Sequence, residues 1–99
     1  KLCLSGLVDS FELSDEYSIV EVNVPSSVIG MQLKEIGFRK NYNLLVLTTM
    51  KKSEEKTDVG RSRNITKVQG VASPELMLEK DDILVVYGSN KDIQAFLKS

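Results

Sequence analysis

The 99-residue chain contains no histidine and a single cysteine, Cys3. Ser-His-Asp and Cys-His catalysis are therefore closed to it, as is His-ligated zinc. Cys3 cannot form an internal disulfide and has no imidazole to activate it, so it reads as an ordinary thiol near Lys1. No glycine-rich phosphate loop and no paired-carboxylate motif occurs. The sequence thus offers no catalytic residue, and the reading is not that of an enzyme. The residue best suited to hold a ligand is Arg39. A partly buried arginine beside apolar residues is a good anion clamp, because its planar fork pairs with phosphate. The competing reading has Arg39 bond the last carbonyls of the preceding helix, where the helix dipole favours a cation.

Two charged stretches need weighing. Glu12, Asp15, Glu16 and Glu21 would make a metal site only if their oxygens converged. They read better as a polar hairpin tip, so no metal is expected. Residues 51–67 hold six basic residues against three acidic ones. Glu54, Glu55 and Asp58 dilute the charge and no aromatic residue interleaves it, so nucleic acid is not the expected partner. The overall balance, 13 basic against 14 acidic residues, says the same. Asn64-Ile65-Thr66 matches a glycosylation acceptor, but no sign of secretion accompanies it.

The elements that must position Arg39 follow from hydrophobic spacing. Val8, Phe11 and Leu13 precede a polar turn at Ser14-Asp15-Glu16. Val20, Val22 and Val24 then alternate with Glu21 and Asn23, the period of a half-buried strand that Pro25 ends. Ser26 and Ser27 are N-cap candidates. Ile29, Leu33 and Ile36 recur at i, i+4 and i+7, which predicts a short amphipathic helix of about two turns stopped by Gly37. Leu44 to Leu47 and Ile83 to Tyr87 are continuous apolar runs, read as central strands covered on both faces. Lys51 to Lys67 reads as a long polar loop, and Ile65 to Val71 as a weak strand. Ser73-Pro74 opens a turn. Ser89 or Asn90 caps a last helix carrying Ile93, Phe96 and Leu97. The predicted fold is α+β, a small sheet with two helices in β-β-α-β-β-β-α order.

Length fits one domain. No apolar run approaches the ~20 residues that span a bilayer, so direct membrane insertion is not expected. No signal peptide is visible, which makes a cytoplasmic location the default. The chain starts at Lys1 rather than Met and reads as a piece of a longer protein.

From Ser18 onward the order of features is specific. A valine-rich strand ends in Pro25, and Val28-Ile29-Gly30 follows. Leu33-Lys34-Glu35-Ile36-Gly37-Phe38-Arg39 comes next, then an apolar strand and Pro74. The run Leu78-Glu79-Lys80-Asp81-Asp82-Ile83-Leu84-Val85-Val86-Tyr87-Gly88 precedes the helix Asp92-Ile93-Gln94-Ala95-Phe96-Leu97. This resembles the C-terminal regulatory domain of the Trk/Ktr potassium-uptake subunits, called TrkA-C or RCK-C, over residues 18–99. Residues 1–17 resemble the linker and N-terminal hairpin strand before it. Two departures stand out. Gly37 lies two before Arg39, where several family members are acidic, and the 51–67 segment is longer than usual.

The resemblance implies a cytoplasmic gating module that pairs as a homodimer. It would hang from a dinucleotide-binding RCK-N domain and reach the inner membrane only through a potassium transporter subunit. It implies no cofactor, but a small ligand such as cyclic di-AMP in a cleft between two copies. Arg39, Asn43, Leu44, Ser73 and Pro74 would line that cleft. An amide can read a base edge and an aliphatic side chain can lie on its face. The plainer readings are that Asn43 serves a turn and Leu44 the core. Ile29, Leu33 and Ile36 form one apolar face that needs a partner, and are expected near the dimer interface. Two alternatives stand beside this reading. One is a ligand-free structural dimerisation domain, and the other is the same domain on a different ion or anion transporter.

Overall fold

The computed structural model describes residues 6–56, 58–60 and 62–98, and the side chains of all these except 53–56 and 62–64. The elements are β1 (Leu7–Glu12), β2 (Tyr17–Asn23), α1 (Leu33–Ile36), β3 (Leu45–Lys56), β4 (Ser62–Val68), β5 (Ile83–Ser89) and α2 (Asn90–Lys98). Their order is the β-β-α-β-β-β-α order expected of an α+β domain. The strands make one antiparallel sheet, ordered β1-β2-β5-β3-β4.

The core lies on one face of this sheet. Val20 and Val22 of β2, and Leu84 and Val86 of β5, are fully buried there. Ile36, Phe38, Leu44, Leu78, Ile93 and Phe96 pack over them. Burial of a side chain as large as Phe96 contributes about 1.5–3 kcal/mol. The opposite face is open. Phe11, Ile19, Tyr87 and Leu45 stand in register across four strands, and Phe11 and Leu45 are about half exposed.

Three local expectations are corrected. The strand runs are central by position, but β3 and β5 are covered on one face only. The apolar residues of β3 alternate between its two faces, and a bulge between Val46 and Thr48 then shifts the register by one residue. Val46 and Thr49 thereby face Val86 and Leu84, while Leu45 and Leu47 stay exposed.

The two-turn helix shrinks to the single turn α1. Gly30, at φ 85°, separates it from a 3-10 turn at Ser26–Val28, so Ile29 lies outside the helix. The serines do not cap α1. Glu35 instead accepts from the backbone N–H of Gln32 at 2.9 Å, closing the turn from the helix side.

The 51–67 loop is a hairpin, with β3 and β4 in register from Met50↔Val68 to Lys56↔Ser62. β5 accompanies β3 only from Leu45 to Met50. Beyond that point the arm extends past β5, and β3 and β4 pair only with each other, a backbone register that needs no apolar alternation. The weak strand accordingly begins at Ser62 and ends before Gly70. Lys51, at the root of this arm, bonds Glu79 at 2.6 Å and the buried Asp82 at 3.0 Å. These two hydrogen bonds, Glu79 first, raise its pKa above the ordinary value.

Candidate functional site

Arg39 lies on a single π-helical turn, Phe38–Tyr42, between two residues in the left-handed conformation, Gly37 (φ 66°) and Asn43 (φ 56°). Such turns need an outside anchor. Here the anchor is aromatic. Phe38 and Tyr42 meet Phe96 of α2 edge-on, with centroids 5.1 and 5.0 Å away. Because these two rings turn inward, Arg39 and Lys40 are left on the outside.

Two carbonyls at the end of α1 are met without Arg39. Gly37 N–H donates to Leu33 C=O at 3.1 Å. Asn41 Nδ2 donates to Ile36 C=O at 2.7 Å. Among the described residues the guanidinium of Arg39 has no hydrogen-bond or ion-pair partner. The helix-capping reading of Arg39 is thus replaced by Asn41, and the cation is left available.

Asn43 turns the chain into β3. Its Nδ2 donates to Asp92 Oδ2 at 3.2 Å. Ser89 Oγ donates to the same carboxylate oxygen at 2.7 Å and accepts from Asp92 N–H at 3.1 Å. Of the two candidate caps of α2, Ser89 does the capping. Asn90 instead accepts from the buried Ser18 hydroxyl at 2.6 Å, tying α2 to β2.

Residues 74–78 run alongside Gly30–Lys34 as a short ladder. Gly30 and Leu33 N–H donate to Leu78 and Leu76 C=O, and Lys34 N–H donates to Pro74 C=O, over 2.7 to 2.9 Å. Carbonyls forty or more residues away thus take orphan donors of α1. This ladder is what brings Ser73 and Pro74 to the side of the π turn.

Two hollows result. One, of about 280 Å³, is lined by Tyr17, Asn43, Tyr87, Gly88 and Ser89. The other, of about 450 Å³, is lined by Leu33, Lys34, Gly37, Phe38, Lys40, Val46, Ala72, Ser73 and Pro74. Arg39, Leu44 and Leu45 line both and form the divide between them. All five residues singled out from the sequence for a ligand therefore lie in one continuous region. Leu44 is 1% exposed and belongs to the core, whereas its neighbour Leu45 offers 48% of its surface. The larger hollow is mostly apolar and carries Lys34, Arg39 and Lys40 with no carboxylate on its wall, a setting for an anion with an apolar body.

Lys34, Lys40, Leu45, Tyr17 and Tyr87 were not singled out from the sequence. The tyrosines become neighbours only once β2 is known to pair with β5. Of the residues expected near a dimer interface, Ile29 is 38% exposed, Leu33 is partly buried against the core, and Ile36 is inside it at 5%. Among the described residues no group of acidic or thiol side chains converges as a metal site. No described helix is long and apolar enough to cross a membrane.

No curated protein matches the chain. Among solved structures it is similar to the regulator of conductance of K+ (RCK) C domain of the potassium transport protein KtrA, a structure in complex with cyclic diadenosine monophosphate. The TM-score is 0.61 at 24% identity, covering 87% of this chain and 86% of that one. Residues 17–99 match the TrkA-C domain, and the chain belongs to that family.

Proposed function

We propose that this chain is a non-catalytic regulatory domain of a potassium transport system, with residues 18–99 as the RCK-C domain and residues 1–17 as the linker that supplies its edge strand. It works in the cytoplasm as a homodimer. It passes ligand-linked movement through an RCK-N domain to a membrane transporter subunit. The ligand is cyclic di-AMP, held between two copies by Arg39, Asn43 and the Ser73-Pro74 wall. The copies meet along the side that carries Ile29 and Leu33, with Ile36 beneath it.

The observation that carries the reading is Arg39, without a partner among the described residues, on the divide between two hollows that together hold every expected ligand residue. Family membership and the ligand in the KtrA complex support it. A two-fold ligand with two phosphates matches a two-fold dimer, since each residue is presented twice. Such a ligand shifts gating only by binding two arrangements of the dimer unequally.

Titration calorimetry with cyclic di-AMP, joined to sedimentation, tests this. The expected result is one ligand per two chains and a dimer at tens of micromolar, roughly where a standard-sized interface holds. A dimer that takes up no ligand leaves the structural dimerisation reading. A monomer with and without ligand overturns both.

A further inference from the structure

We propose that Tyr17 and Tyr87 form a stacking platform for a planar base, so that the smaller hollow takes the base of a nucleotide whose phosphate lies at Arg39. The proposal rests on the reading above only in placing a nucleotide at this cleft.

The platform follows from the sheet. Ile19 is opposite Tyr87 and Tyr17 is opposite Ser89, so the two tyrosines are diagonal neighbours on the open face. Their rings lie within 16° of parallel, with centroids 6.0 Å apart. β3 ends its pairing at Leu45↔Tyr87, because Asn43 turns the chain away in the left-handed conformation. Past Tyr87, β5 therefore has no partner on its β3 side, and the hollow opens there. Tyr17 keeps 43% of its surface exposed. Two near-parallel rings beside an open space, with a guanidinium on the same wall that has no partner among the described residues, match a flat π system joined to an anion.

The polar groups set the orientation. Asp92 would repel a phosphate placed near Asn43, while Ser89 and Asn43 already hold its carboxylate. The phosphate therefore belongs on the Arg39 side, next to Lys34 and Lys40 of the larger hollow. The base belongs over the tyrosines. Asn43 Oδ1 accepts no hydrogen bond among the described residues and stands ready for an exocyclic amine.

The chain has three tyrosines, and Tyr42 sits apart in the Phe38–Phe96 cluster as an internal control. Ring-labelled tyrosine NMR on the whole chain, titrated with AMP, ribose 5-phosphate and cyclic di-AMP, gives the test. AMP and cyclic di-AMP should move the Tyr17 and Tyr87 ring signals upfield and leave Tyr42 in place, while ribose 5-phosphate moves neither. Tyr87→Leu should weaken AMP about ten-fold, the size of one base–ring stack, and Tyr87→Phe should keep it. Cyclic di-AMP binding by calorimetry with unmoved rings overturns the platform and leaves the regulatory reading intact. Ring shifts with AMP, but no heat with cyclic di-AMP, support the platform and remove that ligand. Ring signals that shift with protein concentration alone overturn the platform, because a second copy then covers the tyrosines.

Discussion

Asn41 Nδ2 donates to the Ile36 carbonyl at 2.7 Å, and this bond takes a carbonyl that Arg39 could otherwise have capped. An arginine three residues after a one-turn helix has an obvious structural use at the C-terminal carbonyls. That use is already taken by an uncharged amide.

Asn41→Ala should therefore destabilise the fold by about 1 kcal/mol, the usual worth of one intramolecular hydrogen bond whose loss leaves a carbonyl unmet. Gly37→Ala should cost a similar amount or more. Gly37 sits at φ 66°, and an added Cβ would come within 2.9 Å of that same Asn41 nitrogen. Urea unfolding of both variants checks this, and equal midpoints for Asn41→Ala and wild type would show that the carbonyl needs no partner.

Gly88 is the second close approach. A Cβ there would run into Leu44 Cδ2, and Leu44 is 1% exposed with no free space to enter. Gly88→Ala should lower stability by roughly 1–3 kcal/mol through overpacking. Leu44→Ala costs stability of its own, but the double variant should lose less than the sum of the two, because the atom struck is gone. Double-mutant analysis of thermal unfolding measures the coupling, and additive losses would place the strain elsewhere.

The arm root makes a pH prediction. Lys51 has its pKa raised from 10.5 by hydrogen bonds to Glu79 and Asp82. A raised folded-state value means the ion pair stabilises fully below the unfolded pKa and fades as pH climbs through the folded one. Lys51 keeps 39% of its side chain in solvent, so the contribution is discounted to about 1 kcal/mol. The stability gap between wild type and Lys51→Met should be present at pH 7 and should narrow steadily above pH 10.5. A gap that holds constant into strong alkali would mean the loss is one of packing.

How much of this was legible depends on the range of each interaction. Val20, Val22 and Val24 declare β2 because alternation is local and one face is buried. Ile83 to Tyr87 declares β5 as an unbroken apolar run bounded by Asp82 and Gly88, though only one of its faces meets the core. The arm from Lys51 to Lys67 hides its strands, since pairing there is backbone to backbone and leaves no apolar signature. Ile29 at helical spacing misleads because Gly30 breaks the helix, and a single glycine weighs little against a periodic pattern. At the site, Arg39 was readable from its chemistry and from the family likeness. Tyr17 and Tyr87 were not, for they are seventy residues apart and meet only through the β2–β5 register. Leu44 is core while its neighbour Leu45 faces out, a difference that hydrophobicity alone does not reveal in an unbroken apolar run.

The sharpest prediction concerns Arg39 itself. In a two-fold dimer each copy presents its Arg39 to one phosphate of a two-fold ligand, so one substitution touches both half-sites. Hydrogen bonds to charged groups are worth about 1.5–3 kcal/mol each, and two together about 3–6 kcal/mol. Arg39→Ala should then weaken cyclic di-AMP by a factor of roughly one hundred or more. Arg39→Lys should weaken it too, because a point charge cannot make the paired fork. Neither change should alter the unfolding midpoint much, since Asn41 and not Arg39 closes α1 and the guanidinium has no partner among the described residues. Calorimetry and thermal unfolding on the same three proteins give both halves of the answer. Unchanged binding with lowered stability would return Arg39 to a structural role, and the anion clamp would have to be sought at Lys34 and Lys40 on the wall of the larger hollow.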